Sequence, residues 1–236
     1  MTSGMRTVVI AGGTGALGGA VARAFLANGD RVVVTFVMQD EYDVLRKDAP
    51  NAAALSGVKL DATDESAVAQ FTANTEKQFG AIDALVITIG RYKSGKNLWE
   101  TDTATFDQMM NGNLRAAFIL ARAVLPGMIR NNRGAIVNIA SKSGYGHSPT
   151  VALYSASKAG ALALFDSVAD EVKPYNINVN SVVPSIMDTP ANRRAMPNAN
   201  FGIWPKTEDV AKVILFLCSD DARVIHGAAV PVYGKT

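Results

Sequence analysis

Residues 7–25 read TVVIAGGTGALGGAVARAF. The first five are apolar or β-branched, without alternation, as in a strand covered on both faces. A glycine cluster follows, and then a stretch of small and apolar residues with helical character. Gly13, Gly15 and Gly18 fit G-x-G-x-x-G between strand and helix. A tight turn and a close backbone approach need residues without a Cβ. The helix after such a turn offers free N–H groups and a positive dipole end to a pyrophosphate.

The same rhythm continues along the chain. Strand-like runs occur at 7–12, 31–36, 53–61, 83–90, 134–141 and 176–184, with a last short one, AAVPVYG, at 228–234. Helical segments such as LGGAVARAFLANG, DESAVAQFTANTEKQFG and NLRAAFILARAVLPGMI lie between them. This alternation predicts a single α/β domain with a doubly wound parallel sheet. One segment departs from it. Residues 184–205, PSIMDTPANRRAMPNANFGIWP, hold four prolines and no clear period. A stretch of that length within a compact domain is read as a substrate lid.

Composition narrows the function. The chain has 236 residues, 48% hydrophobic and 19% charged, with a net charge of +2. That suits one large domain with a sizeable core. It gives no support to a nucleic-acid binder driven by bulk charge or to a disordered chain. The one cysteine, Cys218, permits no internal disulfide, and no metal site is expected. No apolar run is read as approaching the roughly 18 residues that span a bilayer. The N-terminus runs directly into a strand, leaving no room for a signal peptide. The chain reads as soluble, reduced and cytoplasmic.

The chemistry sits farther along. Tyr154 and Lys158 share one face of the helical run YSASKAGALALFDSVADEV. A nearby ammonium favours a phenolate, so Lys158 is expected to lower the Tyr154 pKa from its usual ~10. Ser141 follows the run GAIVNIAS, thirteen residues before Tyr154. Parallel sheets gather functional groups at the carboxyl ends of their strands, where Ser141 can hydrogen-bond a substrate oxygen. Asn113 is read as a polar residue opening an apolar helix, where it caps, satisfies a kink or holds a water near Lys158. An NAD-selective site usually has an acid about 20 residues past the glycines. Here the second strand ends Thr35-Phe36-Val37-Met38, with no acid before Asp40 and no base for a 2′-phosphate. The missing acid tilts the reading towards NADP. Asp61 is either a polar group near an adenine or the N-terminal acid of the next helix.

GGTGALG, Asn113 in NLRAAF, Ser141 in IVNIAS, Tyr154-x-x-x-Lys158 and VNSVVP before Thr189 together resemble the short-chain dehydrogenase/reductase family over nearly the whole chain. The resemblance implies a Rossmann domain with seven parallel strands in the order 3-2-1-4-5-6-7. It implies hydride transfer between NAD(H) or NADP(H) and a small carbonyl or alcohol substrate. Tyr154 would be the general acid/base. Lys158 would lower its pKa and hold the nicotinamide ribose. Ser141 would polarise the carbonyl, and Asn113 would support a proton-relay water. Cofactor contacts would come from Gly12, Gly13, Thr14, Gly15, Ala16, Leu17, Gly18, Phe36, Asp61, Gly90, Tyr154, Lys158, Pro184, Ile186 and Thr189, with Thr189 reaching the carboxamide. Within the family, GGTGALG and the run MDTPANRRAMPNANF resemble the dihydropteridine reductase branch, which gives one alternative. A non-catalytic dinucleotide sensor is the other.

The sequence departs from the family pattern in places. Ala11 and Ala16 stand where the family has Thr and Gly, and Ser185 replaces the glycine after Pro184. The family's N-N-A-G is here Ile87-Thr88-Ile89-Gly90, which removes the asparagine's hydrogen bonds. Other residues read as structural. Cys218 belongs to an apolar helix, Arg193 and Arg194 to a solvated one, and His147 to the surface. Trp204, Met187 and Met196 either line a substrate wall or pack their segment down. The apolar helices NLRAAFILARAVL and YSASKAGALALF point to a homo-oligomer, a dimer or tetramer.

Overall fold

The computed structural model describes residues 5–146 and 148–236, so His147 lies outside the described residues. Seven strands form one sheet: β1 (Thr7–Ala11), β2 (Arg31–Phe36), β3 (Leu55–Lys59), β4 (Ala84–Ile87), β5 (Gly134–Ile139), β6 (Ile177–Pro184) and β7 (Ala229–Val232). All pairings are parallel and the order is β3-β2-β1-β4-β5-β6-β7. The chain starts in the middle, winds out to β3, returns beside β1 as β4, and winds out the other way. The carboxyl ends of β1 and β4 therefore flank the switch point where such sheets bind ligands.

Side chains alternate across the sheet, and both faces are apolar. Val8, Ile10, Val32 and Val34 pack against α1 (Ala16–Ala27), α2 (Gln39–Lys47) and α8 (Thr207–Leu217). Val9, Ala11, Val33, Leu85 and Ile87 pack against α3 (Glu65–Phe79), α5 (Ala116–Asn131) and α6 (Ala152–Val172). Unbroken apolar strands are what a sheet covered on both sides requires. Cys218 is buried beside α8, and burial pushes its thiol up to about 12.

Several strands are shorter than the sequence runs. β3 starts at Leu55 because Ala52–Ala54 turn in a 3-10 loop. β4 stops at Ile87 because Thr88 turns onto β1: its N–H and its hydroxyl both donate to the Ala11 carbonyl, at 3.0 and 2.8 Å. The region around Asn113 also differs from expectation. Asn113 does not open a helix; it lies inside one. The helix α4 (Thr103–Met109) runs through a π-helical turn, Met110–Arg115, directly into α5. This continuous helix, Thr103–Asn131, is long and apolar enough to span a membrane, contrary to the sequence reading, but 56% of its apolar window is buried inside the fold. The side chains of Ile119, Leu120, Val124 and Met128 lie in the core.

At the opposite end of the sheet from the switch point, Arg6 clamps the entry to β1. Its guanidinium donates two bonds to the Asp30 carboxylate, at 2.8 and 2.9 Å, and a third to the Cys218 carbonyl at 2.7 Å. Asp30 is buried and Arg6 half-buried. Asp30→Ala strips the charge partner from Arg6, and urea unfolding is expected to show a loss of about 2–3 kcal/mol. Nucleotide affinity, read at the other strand ends, is expected to stay unchanged.

Candidate active site

The glycine loop is shaped by contacts that leave no room for a side chain. A Cβ on Gly13 would stand 2.4 Å from Val34 Cγ1, and one on Gly18 would stand 2.2 Å from the Gly12 carbonyl oxygen. Gly12 itself is at φ +79°, with Ile89 against its open side. Two threonines fix the loop from outside. Thr35 accepts the Gly12 N–H on its hydroxyl at 3.2 Å, and its carbonyl takes the Gly13 N–H at 3.1 Å. Thr88 also reaches the Gly12 carbonyl, at 3.1 Å. In Ile87-Thr88-Ile89-Gly90, which lacks the family's asparagines, the Thr88 hydroxyl ties the segment to the glycine loop. Sequence reasoning found neither threonine, since their partners lie across the sheet.

No side chain caps α1, and no acid stands in its first turn. Gly15 is the capping residue, so Ala16, Leu17 and Gly18 turn their N–H groups towards the loop. This cradle suits a pyrophosphate: positive dipole end, free donors, and a backbone approach that only glycine permits. Thr14 donates its hydroxyl to Glu41 of α2 at 2.8 Å.

Two of the expected cofactor contacts look different in three dimensions. The Phe36 side chain is buried in the core, stacked flat on Tyr42 with centroids 4.7 Å apart. Tyr42 in turn covers Gly57, whose missing Cβ leaves room for its ring. Phe36 therefore supports the wall beneath the strand ends and presents no side chain to a ribose. Val37 and Met38, the next two residues, are the exposed ones. Asp61 is exposed just past β3, but it does not cap α3. That role belongs to Asp64, whose carboxylate accepts the Ala67 N–H at 3.0 Å. Asp61 instead accepts the N–H and hydroxyl of Thr63, which hold its carboxyl below the usual range, helped by Arg91.

Across the switch point, α6, the end of β5 and the π-helical turn bring Tyr154, Lys158, Ser141 and Asn113 together. Lys158 is fully enclosed and donates to the Ile139 carbonyl at 2.7 Å. Burial lowers its ammonium pKa to about 8. Gly90 packs against it: a Cβ there would stand 3.3 Å from Lys158 Nζ and 3.5 Å from Asn113 Oδ1. Asn113 accepts the Arg91 N–H at 2.6 Å and donates to the Arg91 carbonyl and the Ser157 hydroxyl, at 3.0 and 2.8 Å. Ser157 passes its own proton to the Tyr154 carbonyl at 2.7 Å. The π-helical turn is what aims Asn113 inward, and Ser157 is a supporting residue that the sequence did not single out.

Ser141 is buried at the end of β5 and accepts the Ser143 N–H at 3.1 Å. Its hydroxyl also lies towards the Tyr154 phenol and favours ionisation there. The Tyr92 ring stands edge-on to Tyr154, centroids 4.9 Å apart. The expectation that Lys158 lowers the Tyr154 pKa does not hold in this structure. Burial dominates and raises it, with Ser141 opposing and Tyr92 adding to the rise. The Lys158 ammonium is turned to the Ile139 carbonyl.

The segment from Pro184 is ordered by its own contacts. Thr189 accepts the Asn192 N–H and caps the short helix α7 (Pro190–Ala195), which leaves its hydroxyl proton available. Ile186 is exposed beside it, while Pro184 is buried in β6. The Arg193 guanidinium is bound by Asp188 through two bonds, at 2.6 and 2.8 Å, and lies over the Phe201 ring. Trp204 is buried, and Met187 packs on the core, so both hold the segment down. The C-terminal strand end pins it further: Ser185 donates to the Tyr233 carbonyl, and the Lys235 N–H to the Ile203 carbonyl.

Comparison with known proteins accords with this geometry. The sequence profile described as short chain dehydrogenase matches residues 6–200. The chain is 33% identical over 243 residues to 2-(R)-hydroxypropyl-CoM dehydrogenase of Xanthobacter autotrophicus, covering 97% of each protein. It is 29% identical over 238 residues to the 3-oxoacyl-[acyl-carrier-protein] reductase FabG of Thermotoga maritima, covering 97% of this chain and 96% of the relative. Among solved structures, that of ElxO with NADP bound superposes with a TM-score of 0.91 at 29% identity, over 98% of each chain. With the glycine cradle, the strand order and these matches together, the chain belongs to the short-chain dehydrogenase family and is an NAD(P)-dependent oxidoreductase.

Proposed function

We propose that the chain reduces a small carbonyl compound, or oxidises the matching alcohol, with NADP(H) favoured over NAD(H), and that Ser141, Tyr154, Lys158 and Asn113 carry the proton side of the reaction. The observation that carries this reading is the convergence of Tyr154, Ser141 and buried Lys158 on the strand ends beside the glycine cradle. When bound, the nicotinamide supplies or accepts the hydride. The protein's part is to hold the substrate oxygen and move its proton. Ser141 and Tyr154 donate to that oxygen. The raised Tyr154 pKa keeps the phenol protonated at neutral pH, the state that carbonyl reduction needs. Lys158, charged below about pH 8, holds the ribose and stabilises a phenolate once the proton has left. Asn113, anchored by Arg91 and Ser157, positions the water that returns protons to this group.

The lean to NADP(H) rests on the end of β2, where Val37 and Met38 are exposed and no acid follows before Asp40. The Glu41 carboxylate, close to the loop, is engaged by Thr14. Residues 184–205 serve as the substrate lid, in one catalytic domain spanning 1–236. The same reading includes a cytoplasmic homo-oligomer with no nucleic-acid or membrane partner. A dihydropteridine-type reductase is the finer alternative, carried by the run MDTPANRRAMPNANF. Steady-state assays of a carbonyl panel and a quinonoid dihydropterin, each with NADPH and NADH, separate these readings. Nucleotide binding without turnover of any of them makes the chain a sensor instead.

Three variants test the assigned roles. Tyr154→Phe keeps the ring and deletes the proton donor, so kcat is expected to fall by roughly 10²–10⁴-fold while nucleotide affinity, read by fluorescence, survives. Gly18→Ala forces a Cβ onto the Gly12 carbonyl and is expected to weaken nucleotide binding by at least about 10-fold, since the backbone cradle must open. Lys158→Met gives a signed pH effect. Burial lowers the lysine from 10.5 to about 8, a cost to folding on the order of 3 kcal/mol at pH 7. That cost is full below pH 8 and fades as pH rises to 10.5, where the unfolded chain also loses its proton. Urea unfolding is expected to show Lys158→Met more stable than wild type by about 1–2 kcal/mol at pH 7, after the lost hydrogen bond is counted, with the margin shrinking above pH 8. Turnover by this variant is expected to collapse.

A further inference from the structure

A cavity of about 260 Å³ is formed where the loop after β4 meets the residues leading into α6. Its walls include Leu98, Pro149 and Leu153, and two ammonium groups, those of Lys93 and Lys96, line it. Leu153 immediately precedes Tyr154, and Lys93 immediately follows Tyr92, whose ring touches the phenol. Neither tyrosine lines the cavity itself; their neighbours in the chain do, so it adjoins the segments that carry them. Resting on the oxidoreductase reading above, we infer that this cavity is an anion subsite, and that the substrate is a small oxo or hydroxy compound bearing a carboxylate or sulfonate, which Lys93 and Lys96 receive.

Four observations carry the inference. First, the loop RYKSGKN at 91–97 places three cations in seven residues with no acid, in a chain whose net charge is only +2. Second, among the described residues no carboxylate lines the cavity. Outside that wall, Asp102 accepts the Thr105 N–H as the cap of α4, with its charge in reach of Lys93 and Lys96, and Glu100 accepts the Asn97 N–H. Among the described residues neither lysine makes an ion pair. Lys93 donates one proton to the Thr105 hydroxyl at 2.9 Å, which fixes its ammonium and leaves two N–H bonds to give. Third, Thr150 in the same wall is held at φ +64°, a conformation that is strained for a β-branched residue and that folds tend to keep at ligand sites. Fourth, the volume is below the roughly 300–1,000 Å³ that drug-sized ligands fill, which suits a short, compact substrate.

The test compares matched ketones: 4-oxocyclohexanecarboxylate against its methyl ester, which has the same ring and reacting carbon but no charge. Wild type is expected to prefer the carboxylate in kcat/KM. Lys93→Gln and Lys96→Gln are each expected to lower that preference by about 5–10-fold, through KM with kcat nearly kept. The ester is expected to be unaffected, and Lys96→Arg to restore the preference. Equal treatment of acid and ester by wild type, or equal losses on both in the variants, overturns the subsite while leaving hydride transfer standing. A binding arm needs no turnover: cyclohexanecarboxylate titrated into the wild-type protein with NADPH present, followed by calorimetry, is expected to bind, and to bind about 5–10-fold more weakly to each Gln variant. If neither ketone reacts, the reaction reading fails, and this arm alone decides the subsite: binding that depends on both lysines supports it, and binding indifferent to them overturns it.

Discussion

An amine removed from water must be given an acceptor, and Lys158 is given the Ile139 carbonyl. Much of the site follows from that bond. Ile139 ends β5, so its carbonyl is free of the ladder where the strands stop. The lysine must cross from α6 to reach it, and the space it crosses is kept open by Gly90. Any larger residue there would meet both the ammonium and Asn113. Asn113 in turn ties the loop after β4 to α6 through Arg91 and Ser157. One buried charge thus joins three elements that are far apart in sequence. Its cost in folding energy is the condition for holding an ammonium one helical turn from the Tyr154 phenol, at the ends of the strands.

The glycine cradle illustrates the other constraint, that a backbone turned towards a ligand must be held from behind. Thr35 and Thr88 do this from β2 and from the end of β4. They sit on either side of β1, at the point where the winding of the sheet reverses. The loop is therefore fixed by its neighbours on both sides and keeps its shape without help from its own side chains, most of which are absent.

How much of this was legible in the sequence depends on the range of the interaction. Strand–helix alternation and the spacing of Gly13, Gly15 and Gly18 are local patterns, and they carried the fold. Tyr154 and Lys158 sit one helical turn apart, so their shared face could be read directly. The roles of Thr35, Thr88 and Ser157 could not, because each depends on which backbone lies across the sheet or the helix pair. Phe36 looked like a strand-end contact until Tyr42 and Gly57 explained where its ring goes. The Tyr154 pKa went against the expectation because a spacing of four fixes proximity, whereas the sign of the shift depends on burial and on where the ammonium points.

The π-helical turn at Met110–Arg115 is a change of phase as well as a change of direction for Asn113. One extra residue in a helical turn rotates everything after it by about 100° relative to everything before it. The stripe of α4 that carries Thr105 and Met109 inward is therefore out of step with the stripe of α5 that carries Ile119, Leu120 and Val124. A single long helix can then serve two clients: its first half carries Thr105 into the wall of the cavity that Lys93 and Lys96 line, and its second half faces the sheet. Removing one residue between 110 and 115 would restore a continuous period. It would leave either half correctly seated, but not both, so that short segment sets the angular relation between the core and the substrate side of the molecule.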